Sequence, residues 1–188
     1  MKLKIEDNKI KISIPYKPSK FYQKAIINHH EIECIINGYM WPAIKTKTNE
    51  IFIFQYSDED KVILSKYAQE NNIPIIDYQD IWSDILEPFL DTEYTKEIEK
   101  VVNERLKRND LKETEVSRIR TEIQEMMDDY NINSGLWDWV NLNMNDLLDA
   151  CIGTINKKIR MTEEYFKEYY WFAMSVQEKG RRRTTAST

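Results

Sequence analysis

Carboxylates follow two short apolar runs, at residues 51–54 and 73–76, and could carry chemistry there. They are Asp58, Glu59, Asp60, Asp77 and Asp80. If the runs are parallel strands, their carboxyl ends meet at one sheet edge, where open α/β sheets bind ligands. Asp58, Asp60 and Asp77 would then hold Mg²⁺ and make the protein a magnesium-dependent phosphoesterase or nuclease. The competing interpretation is helix capping, which by itself predicts acids at these positions.

The elements that would position these acids form a strand–helix–strand segment. We expect Ser57 to cap its helix and Asn71-Asn72 to end it, because Asn tolerates the left-handed conformation. The apolar face of this helix is predicted to comprise Val62, Ile63, Tyr67 and Ala68. A crossover of this length most simply joins two parallel strands.

A second helix should follow this segment. Asp80 is placed to cap it, and Pro88 should kink it or end it early. Its apolar face is predicted to comprise Ile81, Trp82, Ile85, Leu86, Phe89 and Leu90.

The residues before this segment favour β-hairpins. Asp7-Asn8 would form a two-residue turn that sets Ile5 opposite Ile10 and Leu3 opposite Ile12. Asn37-Gly38 is the favoured type I′ pair for a second hairpin. Its expected opposed pairs are Cys34 with Trp41, Ile36 with Tyr39, and Ile32 with Ala43. Between the hairpins, a short helix is predicted from Phe21, Tyr22, Ala25, Ile26 and His29.

From about Thr92 the spacing of apolar residues is helical throughout. The first stripe consists of Tyr94, Ile98, Val101, Val102 and Leu106, and the second of Val116, Ile119, Ile123, Met126 and Tyr130. A break at Asn109-Asp110 lies between them, so these two helices are predicted to form an antiparallel pair. Ser134 and Thr162 are expected N-caps of later helices.

Aromatic residues of the C-terminal half predict an interaction surface. Tyr165, Phe166, Tyr169, Phe172 and Val176 would form the core face of the last helix. Trp171 lies nearly opposite that face, with Tyr170 between. Trp137 and Trp139 cannot share a face either, since they are two residues apart. Spare Trp and Tyr are typical of protein interfaces, so these four are predicted partner-binding residues; a larger core is the alternative.

Two further clusters could carry chemistry. His29 and His30, with Glu31 and Glu33, could ligate a metal, but adjacent histidines point apart and a surface pair is the simpler interpretation. Lys157, Lys158 and Arg160, with the tail Arg181, Arg182 and Arg183, could touch an acidic partner or nucleic acid. Basic residues near a helix C-terminus also simply suit the helix dipole.

Composition excludes several functional classes. The four glycines lie too far apart for a dinucleotide fingerprint or a phosphate loop. A net charge of −5 argues against nucleic acid as a partner. No apolar stretch is long enough for a membrane span, and the N-terminus lacks the apolar core of a signal peptide. The two cysteines, Cys34 and Cys151, are expected to be free and buried, as is usual in the cytoplasm.

These observations together predict an α+β fold: a small mixed β-sheet with two hairpins and one βαβ crossover, followed by an α-helical C-terminal half. The expected domains are residues 1–91, residues 92–180 and a disordered basic tail at residues 181–188. The function expected first is a non-catalytic, cytoplasmic protein–protein interaction module without a cofactor. The Ile-, Lys- and Asn-rich composition fits a low-GC bacterium or its phage, where small acidic proteins serve as immunity, antitoxin or inhibitor factors. The alternatives are the magnesium enzyme and a subunit of a homo-oligomer.

Overall fold

The computed structural model describes residues 3–24, 26–38, 40–54, 58–90, 93–133 and 141–181. The chain forms an α+β fold with two compact units, as the sequence predicts for its fold class. The sheet unit runs from the N-terminus to Gln79 and takes in Arg181, and the helical unit is Asp80–Gly180. The division therefore comes earlier in the chain than the expected boundary near Thr92.

The first sheet of the sheet unit is antiparallel and consists of β1 (Lys4–Glu6), β2 (Lys9–Lys11) and β3 (Ile26–Asn28). Ile5 lies opposite Ile10, so the first predicted hairpin is confirmed. Asp7 and Asn8 have φ values of 49° and 59°, which a type I′ turn requires.

The helix predicted around Phe21 to His29 is wrong. Ile26 belongs to β3, and Ile27 pairs with Ile10 of β2. Both partners are fully buried, and the cross-strand contact outweighs a weak helical pattern. Phe21 lies in the preceding turns and packs edge-on against Phe52, with ring centroids 5.8 Å apart. Ala25, which the helix also included, lies outside the described residues.

The second sheet contains β4 (Ile32–Asn37), β5 (Ala43–Thr46), β6 (Ile51–Ile53) and β7 (Ile75–Asp77). Its strand order is β6-β5-β4-β7. Neighbouring strands are antiparallel except β4 and β7, which are parallel. The sequence predicted a single mixed sheet, whereas the described strands form two.

The register predicted for the second hairpin is wrong, although β4 and β5 do pair. Ile36 lies opposite Ala43 rather than Tyr39. The other observed pairs are Cys34 with Lys45 and Ile32 with Thr46. The predicted two-residue turn does not form, because Gly38 packs against the backbone of Tyr78 instead. Its φ is +92°, and a Cβ there would lie 2.4 Å from the carbonyl oxygen of Tyr78. A longer connection therefore separates the strands.

The βαβ crossover is confirmed. Helix α1 (Asp58–Glu70) joins β6 to β7, which run parallel because each is parallel to β4. Strands β5 and β4 lie between them. Asn72 has a φ of 53° at the end of α1, as predicted, and the expected cap Ser57 lies outside the described residues. The buried face consists of Leu64, Tyr67 and Ala68, whereas Val62 and Ile63 are exposed.

The helical unit contains α2 (Ile81–Leu86), α3 (Lys96–Arg108), α4 (Glu113–Asn133), α5 (Met144–Cys151) and α6 (Glu163–Glu178). Helix α2 ends before Pro88, where a 3₁₀ turn follows. Asp80 accepts the Ser83 N–H, and Thr162 accepts the Tyr165 N–H, so both predicted caps are confirmed. Ser134 lies outside the described residues.

Helix α2 is the centre of this unit. It packs against α3, α4 and α6. Trp82 is fully buried and its indole N–H donates to the Ala173 carbonyl of α6 at 2.9 Å. The predicted pairing of α3 with α4 is wrong, because these helices hardly touch each other and each packs on α2 instead. Of the predicted α3 stripe, Val102 and Leu106 are buried, while Ile98 and Val101 are exposed.

The structure also bears on the two cysteines and on the length of apolar helices. Cys34 and Cys151 are both free and buried, as expected. Within the described ranges, no helix is both long and apolar enough to span a lipid bilayer.

Candidate functional site

The acids predicted to hold Mg²⁺ lie at the ends of the two edge strands of the second sheet, β6 and β7. Asp60 follows β6 and Asp77 ends β7, and three strand spacings of about 4.8 Å separate those strands by about 14 Å. Asp77 accepts a hydrogen bond from the Asn37 amide at 2.7 Å. The side chain of Asp58 lies outside the described residues. In the part of the chain that the structure describes, no three metal-ligating side chains converge, so the magnesium alternative stays a prediction that the sheet order does not favour.

The histidine pair occupies a 3₁₀ turn at the surface. The rings of His29 and His30 meet edge to face, with centroids 5.6 Å apart. Glu31 accepts hydrogen bonds from the backbone and amide N–H groups of Asn28, so its carboxylate closes the turn. These contacts support the interpretation of this cluster as a structural surface feature.

The predicted aromatic interaction surface is only partly available. Tyr170 is fully buried, because α6 packs against both α2 and α5, and its assignment as a partner-binding residue is therefore wrong. Trp171 is half-buried and packs edge-on against Tyr170, with ring centroids 5.3 Å apart. Tyr165, predicted as core, is 46% exposed. Trp137 and Trp139 lie outside the described residues.

The basic tail begins in an ordered contact, which corrects the prediction that residue 181 is disordered. Arg181 forms an antiparallel bridge with Tyr78, and its guanidinium pairs with Glu33 at 2.8 Å. Glu33 also pairs with the buried ammonium of Lys45 at 2.9 Å. Burial opposes ionisation of Glu33, but Lys45 and Arg181 outweigh it and lower the pKa of this carboxyl. Arg182 and Arg183 lie outside the described residues.

A groove between α3 and α4 is a candidate binding site that the sequence did not predict. Its volume is about 800 Å³. The lining residues are Lys96, Glu99, Lys100, Asn103, Glu104, Leu106, Lys107, Asp110, Leu111, Lys112, Glu113 and Val116. A second hollow of about 380 Å³ shares Glu99, Asn103, Glu113 and Val116 with it and continues along α4. We call the two together the α3–α4 groove.

The groove exists because two arginines fasten its walls to α2. Arg105 of α3 pairs with Asp84, and its Nε lies 2.8 Å from the carboxylate. Arg120 of α4 donates to the carbonyls of Ile85 and Asp84, at 2.9 and 3.2 Å. These carbonyls lie near the C-terminus of α2, where helical partners run out. Since α2 holds both helices, they diverge after the short connection at residues 109–112.

The α3 wall of the groove carries a row of lysines. Lys96, Lys100 and Lys107 are spaced four and seven residues apart, which places them on one helix face at about 100° per residue. All three are exposed. In the described ranges, no ion pair or side-chain hydrogen bond engages them. Glu99 and Glu104 flank the row. The lysine spacing is visible in the sequence, but only the divergence of α4 shows that it faces a groove.

The opposite wall mixes charged and uncharged polar side chains, and Glu113, Arg120 and Asp128 are the charged ones. Ser117, Thr121 and Gln124 of α4 line the second hollow. The floor contains the apolar side chains of Leu106, Leu111 and Val116, of which each is buried. The groove thus offers lysines, carboxylates and uncharged hydrogen-bonding groups along its length.

Two half-buried carboxyls elsewhere in the helical unit have raised pKa values. Burial, together with the nearby charge of Asp84, raises the pKa of Asp80 to about 7. Burial, together with the nearby charge of Asp149, raises the pKa of Asp146 to about 6. Asp80 caps α2, and Asp146 accepts the Asn143 N–H at the start of α5. Both groups therefore have a structural role that accounts for their positions.

The chain matches no protein-family model, no curated protein and no solved structure.

Proposed function

We propose that this protein is a non-catalytic protein-binding module whose helical unit receives a segment of a partner protein in the α3–α4 groove. The observation that carries the proposal is the divergence of two consecutive helices, which leaves a lined hollow of about 800 Å³. Grooves between helices are a recurrent way of binding peptide segments. The size also lies in the range of specific ligand sites.

The chemistry of the groove supports binding rather than catalysis. Its walls present lysines, carboxylates and uncharged polar side chains over a small apolar floor. Such a mixture resembles the polar rim and apolar centre of protein interfaces. We place the module in the cytoplasm, as an immunity, antitoxin or inhibitor factor, because its cysteines are free and the composition fits a low-GC bacterium or phage.

The experiment fills the groove with one large side chain. Asn103 lines both hollows, so Asn103→Trp should block a bound segment. Lys167→Trp places the same side chain at an exposed site of α6 and is the matched control. The protein and both variants are used to capture partners from a lysate of the organism that carries the gene, and the captured protein is then purified and titrated by calorimetry.

The expected result is a one-to-one complex with wild type and Lys167→Trp, and at least tenfold weaker binding to Asn103→Trp. A partner bound equally by all three proteins would place binding elsewhere and reject the groove. Light scattering of the purified protein is measured first. A dimer that Asn103→Trp dissociates would show that a second copy of the chain fills the groove.

A further inference from the structure

We infer that Arg105 and Arg120 are positioning residues of the α3–α4 groove: they hold its two walls apart, and the walls close on each other when either arginine loses its contacts with α2. As an account of how the groove is kept open for binding, this inference rests on the proposed function. The closing movement itself is measurable in the protein alone, without a partner.

Both walls are attached to α2 at Asp84. Nε and Nη2 of Arg105 donate to the same carboxylate oxygen of Asp84, Nε at 2.8 Å. The main-chain carbonyl of Asp84 accepts Nη2 of Arg120 at 3.2 Å, and the carbonyl of Ile85 accepts Nε at 2.9 Å. Asp84 is buried, and hydrogen bonds that involve a charged group are the stronger ones. The positions of α3 and α4 are therefore both set by one turn of α2.

Arg120 also separates the start of α3 from α4. Its guanidinium carbon lies 5.9 Å from the centre of the Tyr94 ring, and Tyr94 directly precedes Thr95, the N-cap of α3. This single side chain of α4 thus contacts α2 and the segment that leads into α3, and it lines the second hollow as well. The two walls cannot approach each other there unless Arg120 is displaced or shortened.

The charges of the two walls complement each other. The α3 wall has three lysines and two glutamates, whereas the charged residues of the α4 wall are Glu113, Arg120 and Asp128. The α3 wall is therefore net positive and the α4 wall net negative. Within the described residues, no ion pair engages the three lysines, Glu113 or Asp128. This balance of signs selects neither an acidic nor a basic partner, but it favours contact between the walls themselves.

The connection between the helices allows the walls to close. Residues 109–112 join α3 to α4 at one end of the groove, and Leu106 and Val116 form part of its floor near this end. Beyond it the helices hardly touch each other, whereas helices that pack directly lie about 8–10 Å apart. Closing would be a rotation of the helices about this connection, and it would remove apolar surface of the floor from water.

The test measures the distance between the walls by pulsed electron paramagnetic resonance. Spin labels are attached at Glu99→Cys and Gln124→Cys, which are exposed positions on opposite walls of the same hollow. The native cysteines are buried and do not compete for the label. The labelled protein is compared with its Arg105→Gln and Arg120→Gln variants.

Matched controls remove an exposed arginine from each of the same two helices: Arg108→Gln from α3 and Arg118→Gln from α4. Circular dichroism verifies the helix content of every variant at the temperature of the measurement. Each arginine holds a different wall, so either groove variant decides the inference if the other does not fold. Arg105→Lys is a conservative variant, because it keeps the charge but not the planar fork of donors.

Both glutamine variants of the groove should shorten the mean distance between the labels by several ångströms, as the helices approach the separation of packed helices. Arg105→Lys should shorten it less than Arg105→Gln does, and Arg108→Gln and Arg118→Gln should keep the wild-type distance. An unchanged or longer distance in the groove variants, or the same shortening in the controls, would overturn the inference.

The positioning role and the proposed function fail separately. Walls that keep their distance in the arginine variants would reject the positioning role and leave the groove as a binding site. Walls that close in these variants, while a captured partner binds Asn103→Trp with full affinity, would confirm the positioning role and reject the groove as the site of that partner.

Discussion

Arg181 forms an antiparallel β-bridge with Tyr78, so the chain re-enters the sheet unit beside the point where it leaves it. Between these two residues the chain builds the helical unit, Asp80–Gly180. The helical unit is therefore an insertion whose two connections start from neighbouring residues.

We expect the two units to fold separately. Residues 80–180 expressed alone should give a cooperative, helical thermal transition. Residues 1–79 joined to residue 181 by a flexible linker of about four residues should keep the sheets, because the bridge already brings the ends together. Circular dichroism and amide-exchange measurements check both parts. Loss of cooperative unfolding in either would show that the units depend on each other for stability.

The stability of the helical unit should fall as pH rises from about 4 to about 7. In the unfolded chain an Asp carboxyl titrates near pH 3.9, whereas the folded pKa is about 7 for Asp80 and about 6 for Asp146. The folded state therefore binds these protons more tightly. Their stabilising effect is complete below the unfolded pKa and is lost as pH rises through the folded values.

Asp80→Asn isolates this effect. Asn is also a good N-cap, so the variant should keep α2, gain stability at neutral pH and show a flatter dependence of Tm on pH. Asp128→Asn, at an exposed position of α4, is the control and should follow the wild-type curve. A variant that loses stability at pH 8, where Asp80 is ionised, would mean that the charged form of Asp80 is needed.

Arg105→Ala should destabilise the helical unit by about 1–3 kcal/mol, because it leaves the carboxylate of Asp84 buried without its guanidinium partner. Asp84 is 5% exposed. Arg108→Ala, at an exposed position of the same helix, should change stability by less than about 0.5 kcal/mol. Urea unfolding measures both, and similar effects for the two variants would rule out a specific role for the Asp84–Arg105 pair.

Gly38→Ala should destabilise the sheet unit by about 2 kcal/mol or more, because it adds a Cβ at a positive φ and against backbone. The contact is severe, at 2.4 Å from the Tyr78 carbonyl oxygen. Gly38→Asn separates the causes, since Asn tolerates positive φ but still has a Cβ. Chemical unfolding should show both variants strongly destabilised; near-normal stability of the Asn variant would leave conformation as the only cause.

Local signals in the sequence predict local structure well here. The Asp7-Asn8 turn, the caps Asp80 and Thr162, and the interruption at Pro88 depend on a few neighbouring residues, and the structure has them where they are predicted. The fold class follows from the same signals, because strands precede and helices follow the βαβ segment.

The errors come from contacts between residues distant in sequence. Gly38 meets Tyr78, which changes the register of β4 and β5. Ile27 meets Ile10, which makes a strand of a predicted helix. Arg105 and Arg120 both bind α2, which separates two helices that the apolar stripes predict as a pair. The groove, as a product of that separation, could not be predicted from spacing alone.

Because both native thiols are buried, a cysteine introduced in the α3–α4 groove can be labelled selectively. Cys34 and Cys151 are the only cysteines in the sequence, and both are 0% exposed. Burial also raises the pKa of the Cys151 thiol, which keeps it in its unreactive form at neutral pH. A cysteine introduced at Asn103 would react with a maleimide, which can carry a fluorophore or a photo-crosslinking group. The native sequence elsewhere needs no change. A probe attached there would report directly on what enters the groove.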